Sequence, residues 1–470
     1  MKKYDLLKVL GITFLIVALI SWVVPAGYYS NGTYTSLEQV VPIGLYDLFR
    51  LPVISIVTFI QYGLLFLAIG GFYGVINKTG VYSKFIDSIV SKFKNKSLFL
   101  TITIILFAIL TSVIGSPNMI FILIPLFMAV IIRMGYSKIT AFASTVGAML
   151  VGQVGTTFAF STWGYFKYIF NISMTDLILV RSILLVMITA LYVIIIRKKS
   201  SKEISSKNKN EDKVDIPLHE ERKGKKGVLP LVIMLVLTFA VLAVGTYNWY
   251  YSFEVEFFNS IYETVMTFEF LDMPIFKNIL GSVSEFGFFN NYDIMVILLI
   301  SAFIIGWIYS LKLGEMVDGF VKGLKEMVKP SIYAMLSCIV FTAMLNMLNT
   351  VGGDFINTMI GKIVSPEEFS LTATVASGLI SSFAYNDFYT LASNISSAFI
   401  TFDVALFPVI AFVFTTMYSI VMLIAPTSIF LLAGLSYLEI PYKEWIKYVY
   451  KTILIIFAIV IVVAIIITLL

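Results

Sequence analysis

Charged and metal-binding residues are scarce in this chain. Lys, Arg, Asp and Glu make up 13% of its 470 residues, about half the share usual in soluble domains. The one cysteine, Cys338, excludes an intramolecular disulfide and a multi-cysteine metal site. The one histidine, His219, lies in a charged stretch, so none is left for a metal site or a general base within a span. The chain also lacks a G-x-x-x-x-G-K phosphate loop, which argues against ATP-driven transport.

Long apolar runs make up much of the chain. Hydrophobic residues make up 59% of the chain, and the mean hydropathy is +0.94. A helix needs about 20 apolar residues to cross a bilayer, and uncharged runs near that size recur along the whole length. We therefore predict an all-α, polytopic membrane protein with about ten full spans.

Basic residues are distributed unequally between the loops that these runs separate. If the N-terminus is cytoplasmic, 28 of the 33 Lys and Arg residues fall in cytoplasmic segments and four fall outside. This asymmetry predicts a protein of the plasma (inner) membrane with its C-terminus outside. In segment 197–227, acidic residues are interspersed among the basic ones, which favours a cytoplasmic linker over a nucleic-acid-binding site.

Two uncharged regions are too long for one span and are each divided by a polar turn. Ser97–Ile132 would form a helix of about 54 Å, and Gly115–Asn118 divides it. In the second half the pair Asn386-Asp387 divides a similar region. We predict that each forms a re-entrant helical hairpin, the first entering from the cytoplasm and the second from outside. The predicted hairpins are 97–134 and 371–402.

An interrupted helix follows each hairpin. The first, 139–166, carries Gly152–Thr157, and the second, 404–435, carries Ala425–Ser428. Span, hairpin, broken helix and span follow one another in both halves with opposite orientation, which is the arrangement of an inverted repeat. We therefore divide the chain into a first repeat 1–196, the linker 197–227, an extra span with an outer acidic loop 228–292, and a second repeat 293–470.

The breaks form the predicted solute site. Irregular backbone within a membrane is tolerated where protein or a water-filled cavity satisfies it, so hairpin tips and unwound helices tend to meet near the midplane. Their side chains offer oxygen ligands to a solute or to Na⁺, and no cofactor beyond Na⁺ or H⁺ as coupling ion is expected. The candidate residues are Ser116, Asn118, Gln153, Thr156, Thr157, Asn386, Asp387, Thr427 and Ser428. The candidate Na⁺ ligands among them are Asn118, Asp387 and Thr427.

The candidate residues also have structural interpretations. A serine or threonine in a membrane helix often bonds to backbone of its own or a neighbouring helix. A carboxylate within an apolar stretch is costly, so Asp387 is a functional candidate, although a turn at the outer surface would also hold it. If buried, Asp387 either pairs with the coupling cation or itself carries the coupling proton. Arg181, inside another span, is expected to snorkel to the outer surface.

Three groups of short motifs resemble the YfcC-like transporters. They are Trp22–Gly27; Phe121–Pro125 with Met134–Tyr136; and Ala425–Ser428 with Leu431–Leu435, Ile440–Tyr442 and Trp445. These transporters belong with the anaerobic C4-dicarboxylate carriers of the ion transporter superfamily. The resemblance covers nearly the whole chain and implies two inverted five-span units, a scaffold, and a mobile region with elevator-like movement. It also implies that a second copy of the chain, in a homodimer, is a candidate partner.

The resemblance does not identify the substrate of this chain. Relatives carry dicarboxylates, amino acids such as arginine and ornithine, or short-chain acids. Many have an acidic residue near the first hairpin tip, where this chain has Ser116-Pro117-Asn118. They also have an Asn-Pro pair in the first broken helix, where this chain has Thr156-Thr157.

The sequence therefore predicts a secondary transporter, a symporter or exchanger coupled to Na⁺ or H⁺. Its expected substrate is a small organic solute, in first place a carboxylate. An amino-acid exchanger, for example for basic amino acids, is the first alternative. A membrane enzyme is disfavoured because no paired carboxylates or nucleophile motif lies at membrane depth, and a channel is the remaining alternative.

Overall fold

The computed structural model describes residues 4–37, 42–206, 218, 226–348, 355–365 and 368–469. Within these residues the protein is 77% helical with almost no sheet, which confirms the prediction of an all-α membrane protein. The strands among them form two short antiparallel ribbons, Gly27–Ser30 with Thr33–Ser36 and Glu269–Phe270 with Met273–Pro274. His219 and most of the predicted linker lie outside the described residues.

Seven helices in the described part of the chain are long and apolar enough to cross a membrane, judged by length and composition. The pair Leu313–Ser337 and Ile339–Asn346, bent by 43° at Cys338, makes an eighth if it is one broken span. The number is lower than predicted because Asp5–Ser21, with 17 residues, is slightly too short to be counted, and because the run 139–166 is divided into shorter helices. The seven are Ile60–Lys78, Lys96–Ile114, Ile178–Ser201, Leu229–Thr246, Asn291–Ile308, Val404–Met422 and Tyr442–Leu469.

Shorter helical elements connect these spans. The span beginning at Ile178 continues as helix Ile178–Ser206, so the predicted linker is helical at its start. The other helices are Asp47–Thr58, Val81–Lys92, Pro117–Ile120, Ile124–Arg133, Lys138–Phe142, Ala148–Val154, Tyr165–Phe170, Trp249–Phe253, Phe257–Thr267, Ile275–Leu280, Ile339–Ala343, Phe355–Gly361, Phe388–Phe399 and Ile429–Leu438. Tighter or wider turns are Phe121–Leu123, Ala143–Gly147, Phe160–Gly164, Met344–Leu348 and Val404–Leu406.

Helices Ile60–Lys78 and Leu313–Ser337 cross with their backbones in direct contact. A Cβ atom added at Gly323 would lie 1.9 Å from the carbonyl oxygen of Gly70. Small residues allow such close approach, and in a membrane the resulting van der Waals packing is a main source of helix association. We call this contact the glycine seam; it joins one helix from each half of the chain.

Both predicted hairpins are present as pairs of antiparallel helices. In the first hairpin, Lys96–Ile114 turns at Gly115 into Pro117–Arg133, and the rings of Phe99 and Phe127 stack with centroids 6.1 Å apart. Gly115 has a φ of +67°, a conformation that side chains with a Cβ rarely adopt. The first arm is long enough to span a membrane alone, so its re-entrant nature stays a prediction.

The second hairpin consists of Leu371–Ala384 and Phe388–Phe399. The rings of Phe369 and Phe402, just beyond its two open ends, meet at 5.9 Å. The chain therefore enters and leaves this hairpin at the same end, and the tip at Asn386 lies at the opposite end.

The two broken helices open where helix-breaking and polar residues cluster. The first is irregular over 155–159, after the helical turn that contains Gly152. Gly152 is instead a packing position, because a Cβ there would lie 2.3 Å from the carbonyl oxygen of Ala108 in the first hairpin. The second is irregular over 423–428, between Phe407–Met422 and Ile429–Leu438.

Arg181 is buried, so the prediction that it snorkels to the outer surface is wrong. Arg181 is only 2% exposed, and its guanidinium lies 3.7 Å from the centroid of the Trp163 ring. It donates hydrogen bonds to the backbone oxygens of Thr157, Met174 and Asp176. Thr157 lies in the opening of the first broken helix, and Met174 and Asp176 lie in the turn before helix Ile178–Ser206. The planar guanidinium, which has several donors, therefore joins the opened helix to this turn.

The glycine seam predicts that a methyl group at Gly323 is not tolerated. Gly323→Ala should force the two helices apart and destabilise the protein by about 1–3 kcal/mol, the usual cost of overpacking. Gly314→Ala, in the same helix but with no atom within 4 Å of the added Cβ, is the matched control. Thermal unfolding in detergent should show a lower midpoint for Gly323→Ala alone; equal midpoints for both variants would contradict the close contact.

Arg181→Lys should also lower the melting temperature. Lysine keeps the charge but cannot reach several carbonyls with a planar fork, and each buried acceptor left unpaired costs about 1–3 kcal/mol. Arg50→Lys is the control, because Arg50 is exposed and, among the described residues, its side chain pairs only with Asp47, at 3.8 Å. Unchanged melting of Arg181→Lys would show that the guanidinium does not hold the opened helix.

Candidate solute-binding site

A cavity of about 460 Å³ lies between the tips of the two hairpins. This volume falls in the range of small-molecule sites, about 300–1,000 Å³. Both broken helices and helix Ile60–Lys78 also contribute to its wall. Six of the nine predicted site residues line it: Ser116, Asn118, Gln153, Asn386, Asp387 and Ser428.

The first tip is held against the first broken helix. A Cβ at Gly115 would lie 2.3 Å from the Cβ of Ala159, so the tip approaches as closely as glycine permits. The Ser161 hydroxyl donates to the Gly115 carbonyl oxygen. Asn118 donates from Nδ2 to Oδ1 of Asn291 at 2.7 Å, while its own Oδ1 is buried without a hydrogen-bond partner among the described residues.

The second tip is built around Asn386, which is 7% exposed. The Asn386 amide nitrogen donates to the Cys338 sulfur, and the Tyr418 hydroxyl donates to the Asn386 backbone oxygen at 2.9 Å. Oδ1 of Asn386 has no hydrogen-bond partner within the described part of the chain. Cys338 therefore supports this tip from the bend between helices Leu313–Ser337 and Ile339–Ala343.

Asp387 is the N-cap of the second arm of the second hairpin. Its Oδ2 accepts hydrogen bonds from the backbone nitrogen and the hydroxyl of Thr390, at 3.0 and 2.7 Å. The side chain is half-buried and lines the cavity instead of lying in an outer loop. Its Oδ1 takes part in no hydrogen bond among the described residues, so one carboxylate oxygen is available to a ligand.

Three predicted site residues do not line the cavity. Thr157 donates to the Ser112 backbone oxygen at 3.1 Å, and Thr427 donates to that of Phe383 at 3.0 Å. The hydroxyl of Thr156 bonds to that of Thr162 at 3.1 Å. These threonines thus tie the breaks to their surroundings, which is the structural interpretation of such residues. Of the three candidate Na⁺ ligands, Asn118 and Asp387 line the cavity and Thr427 does not.

Several lining residues were not predicted from the sequence. Asn248, Asn290 and Asn291 come from 228–292, which lies outside both predicted repeats. Gln61 comes from helix Ile60–Lys78, which has no recognisable break, and Tyr165 belongs to the first broken helix, after its opening. In the sequence, the Asn290-Asn291 pair before an apolar run is the one feature that could have indicated these lining residues. The same pair is also typical of an ordinary helix cap, so it does not by itself indicate a binding site.

The electrostatic character of the cavity is unusual for a site that binds anions. Seven carboxamide side chains line it, and Asp387 is the one charged side chain among its described lining residues. Lysine, arginine and histidine are absent from that lining. A carboxamide both donates and accepts hydrogen bonds, so the wall suits polar groups of either kind.

The family comparison agrees with the resemblance of the motifs. The chain matches the C4-dicarboxylate anaerobic carriers over residues 5–469. No curated protein matches it. Among solved structures, the Alcanivorax borkumensis YdaH transporter, described as having an unusual topology, has a TM-score of 0.38 and 15% identity, with 97% of each chain covered. Because the family match spans nearly the whole sequence, the chain belongs to the DcuC family of C4-dicarboxylate anaerobic carriers.

Proposed function

We propose that the protein is a secondary active carrier that binds a small organic solute in the cavity between the hairpin tips. The observation that carries this proposal is the convergence of two hairpin tips and two broken helices on one polar cavity. Such convergence of interrupted helices is the usual construction of solute and ion sites in secondary transporters. Membership in a carrier family supports the same reading.

The first substrate class is a carboxylate, coupled to Na⁺ or H⁺. The lining offers no basic side chain to an anion, so a carboxylate needs a cation bound beside it. Asp387 and the unpaired oxygens of Asn118 and Asn386 supply oxygen ligands of the kind that Na⁺ accepts. Alternatively, a protonated Asp387 would remove the repulsion. In both cases ion and solute bind together, which is the requirement for symport.

An amino acid is the second substrate class. A carboxylate within a membrane protein calls for a positive partner, and the ammonium group of an amino acid supplies one. The absence of basic residues from the described lining favours this class as much as it favours a co-bound ion. Exchange of one amino acid for another would then need no coupling ion.

The proposed transport movement is elevator-like. The hairpins and broken helices would move with the solute, and the helices joined at the glycine seam would stay fixed, because their backbones have no room to slide. A homodimer would anchor such a scaffold in the membrane.

Asp387→Asn should abolish ion-driven accumulation in proteoliposomes while leaving the fold intact. Asparagine caps a helix as well as aspartate, so the second hairpin should keep its structure. Loss of the charged partner should reduce accumulation to about one-tenth or less, since a hydrogen bond to a charged group contributes about 1.5–3 kcal/mol. Asp403→Asn, at an exposed N-cap outside the cavity, is the matched control.

The outcomes of this experiment separate the proposals. For a carboxylate symporter, Asp387→Asn should retain binding in the absence of a gradient and lose only the response to Na⁺ or pH. For an amino-acid carrier it should lose binding altogether. Normal uptake with unchanged Na⁺ and pH dependence would overturn a role of Asp387 in either mechanism.

The orientation in the plasma membrane follows from the basic residues and is tested separately. We expect an enzymatic reporter fused after residue 470 to be active outside the cytoplasm, because 28 basic residues then lie inside. A second reporter in the linker 197–227 should be cytoplasmic. A cytoplasmic C-terminal reporter would contradict the inverted repeat.

A further inference from the structure

The segment between helices Leu229–Thr246 and Asn291–Ile308 forms one wall of the cavity. It contributes Asn248, and its closing turn contributes 287–290. It lies outside both predicted repeats, and neither hairpin nor broken helix supplies this wall. We call 247–290 the outer segment.

The outer segment is fixed to the first half of the protein. The Tyr247 hydroxyl donates to the backbone oxygen of Phe158, in the opening of the first broken helix, at 3.0 Å. Lys167 donates to the Tyr251 backbone oxygen at 2.8 Å. The backbone nitrogens of Gly287 and Phe289 both bond to the Gly245 oxygen, at 2.8 and 2.9 Å. The turn that leads into the next span is thereby held in place over the cavity.

This turn separates the roles of two neighbouring asparagines. Oδ1 of Asn290 accepts from the backbone nitrogens of Tyr292 and Asp293, and Asp293 accepts from the Asn290 nitrogen in return. Asn290 is therefore occupied as a helix cap. Asn291 does not cap the helix. Its Oδ1 accepts a hydrogen bond from Nδ2 of Asn118, at the first hairpin tip, at 2.7 Å.

The Asn118–Asn291 pair leaves one acceptor and one donor unpaired at the wall of the cavity. Asn118 keeps an unpaired Oδ1, and the Nδ2 of Asn291 donates to no described residue. If both carboxamide groups are turned over, the pair still has one free oxygen and one free NH₂. The conclusion is therefore independent of how the two amides are turned.

We infer that Asn291, together with Asn118, is a specificity-determining residue that selects a solute hydroxyl or carboxamide at this end of the cavity. Such a group donates to the free oxygen and accepts from the free NH₂. A carboxylate can only accept, so its oxygens would face the unpaired amide oxygen. This inference rests on the proposed function, and it names the chemistry of the solute end that lies against the outer segment.

The test compares solutes that differ in this one group, one pair for each proposed substrate class. The pairs are succinamate against succinate and asparagine against aspartate. Binding is followed by thermal shift of the purified full-length protein with and without Na⁺, since ligands that bind the native state raise its melting temperature. In at least one pair, the carboxamide member should half-saturate at a concentration at least about tenfold lower, because a site built for a donor rejects an analogue without one.

Asn291→Ala should reduce this difference to about twofold or less, because the alanine neither donates nor accepts. Asn278→Ala, exposed in the same outer segment and away from the cavity, should keep the wild-type ratio. Asn118→Ala tests the pair from the hairpin side, so a folding defect in one variant still leaves the other.

Three results would overturn the inference: wild-type preference for the carboxylate members, no saturable shift by any of the four solutes, or an unchanged ratio in folded Asn291→Ala. Gradient-driven uptake of a solute in proteoliposomes together with any of these results would leave the proposed function standing. Absence of any gradient-driven uptake would remove the proposed function itself.

Discussion

Backbone groups released by interrupted helices are the constraint on which the rest of this protein depends. Within a membrane, such groups find partners in the protein or in a water-filled cavity. In the first half, the backbone nitrogens of Thr157 and Phe158 bond to the Ser112 oxygen, at 2.9 and 3.2 Å, and the Ser112 hydroxyl donates to Gly155. Arg181 completes the set of partners. The first hairpin and the first broken helix therefore stabilise one another.

The second half meets the same requirement with aromatic residues. Trp445 donates from its indole nitrogen to the Leu423 backbone oxygen at 2.9 Å, where the second broken helix opens. Tyr418 donates to the backbone oxygen of Asn386 at the second hairpin tip. Neutral aromatic donors avoid the cost of burying a second guanidinium, so the two halves reach a similar architecture with different chemistry.

With the backbone satisfied, the groups that are left over define the cavity. Oδ1 of Asn118 and Oδ1 of Asn386 are buried and unpaired among the described residues, which is costly unless a ligand or an ion completes them. They lie at opposite tips, with Asp387 beside one and Asn291 beside the other. The wall thus combines a charged end and a neutral amide end, and this asymmetry is the basis for assigning different solute groups to each.

The sequence alone determined the helical class, the approximate positions of both hairpins and both breaks, and the family. These features follow from the lengths of uncharged runs and from local helix-breaking residues, which need no knowledge of distant contacts. It also named Ser116, Gln153 and Ser428 as candidates, and the structure places them on one cavity, although their binding role stays a proposal.

Only the tertiary structure decided which polar residues hold the fold and which face a ligand. Thr157 and Thr427 look like ligands in sequence but bond to backbone, and Arg181 looks like a snorkelling residue but is enclosed. Asn291 is part of the site because it contacts Asn118, which is 173 positions away in the sequence. Local patterns record the propensity of each segment, whereas the partner of a polar side chain depends on which segments the packed helices bring together.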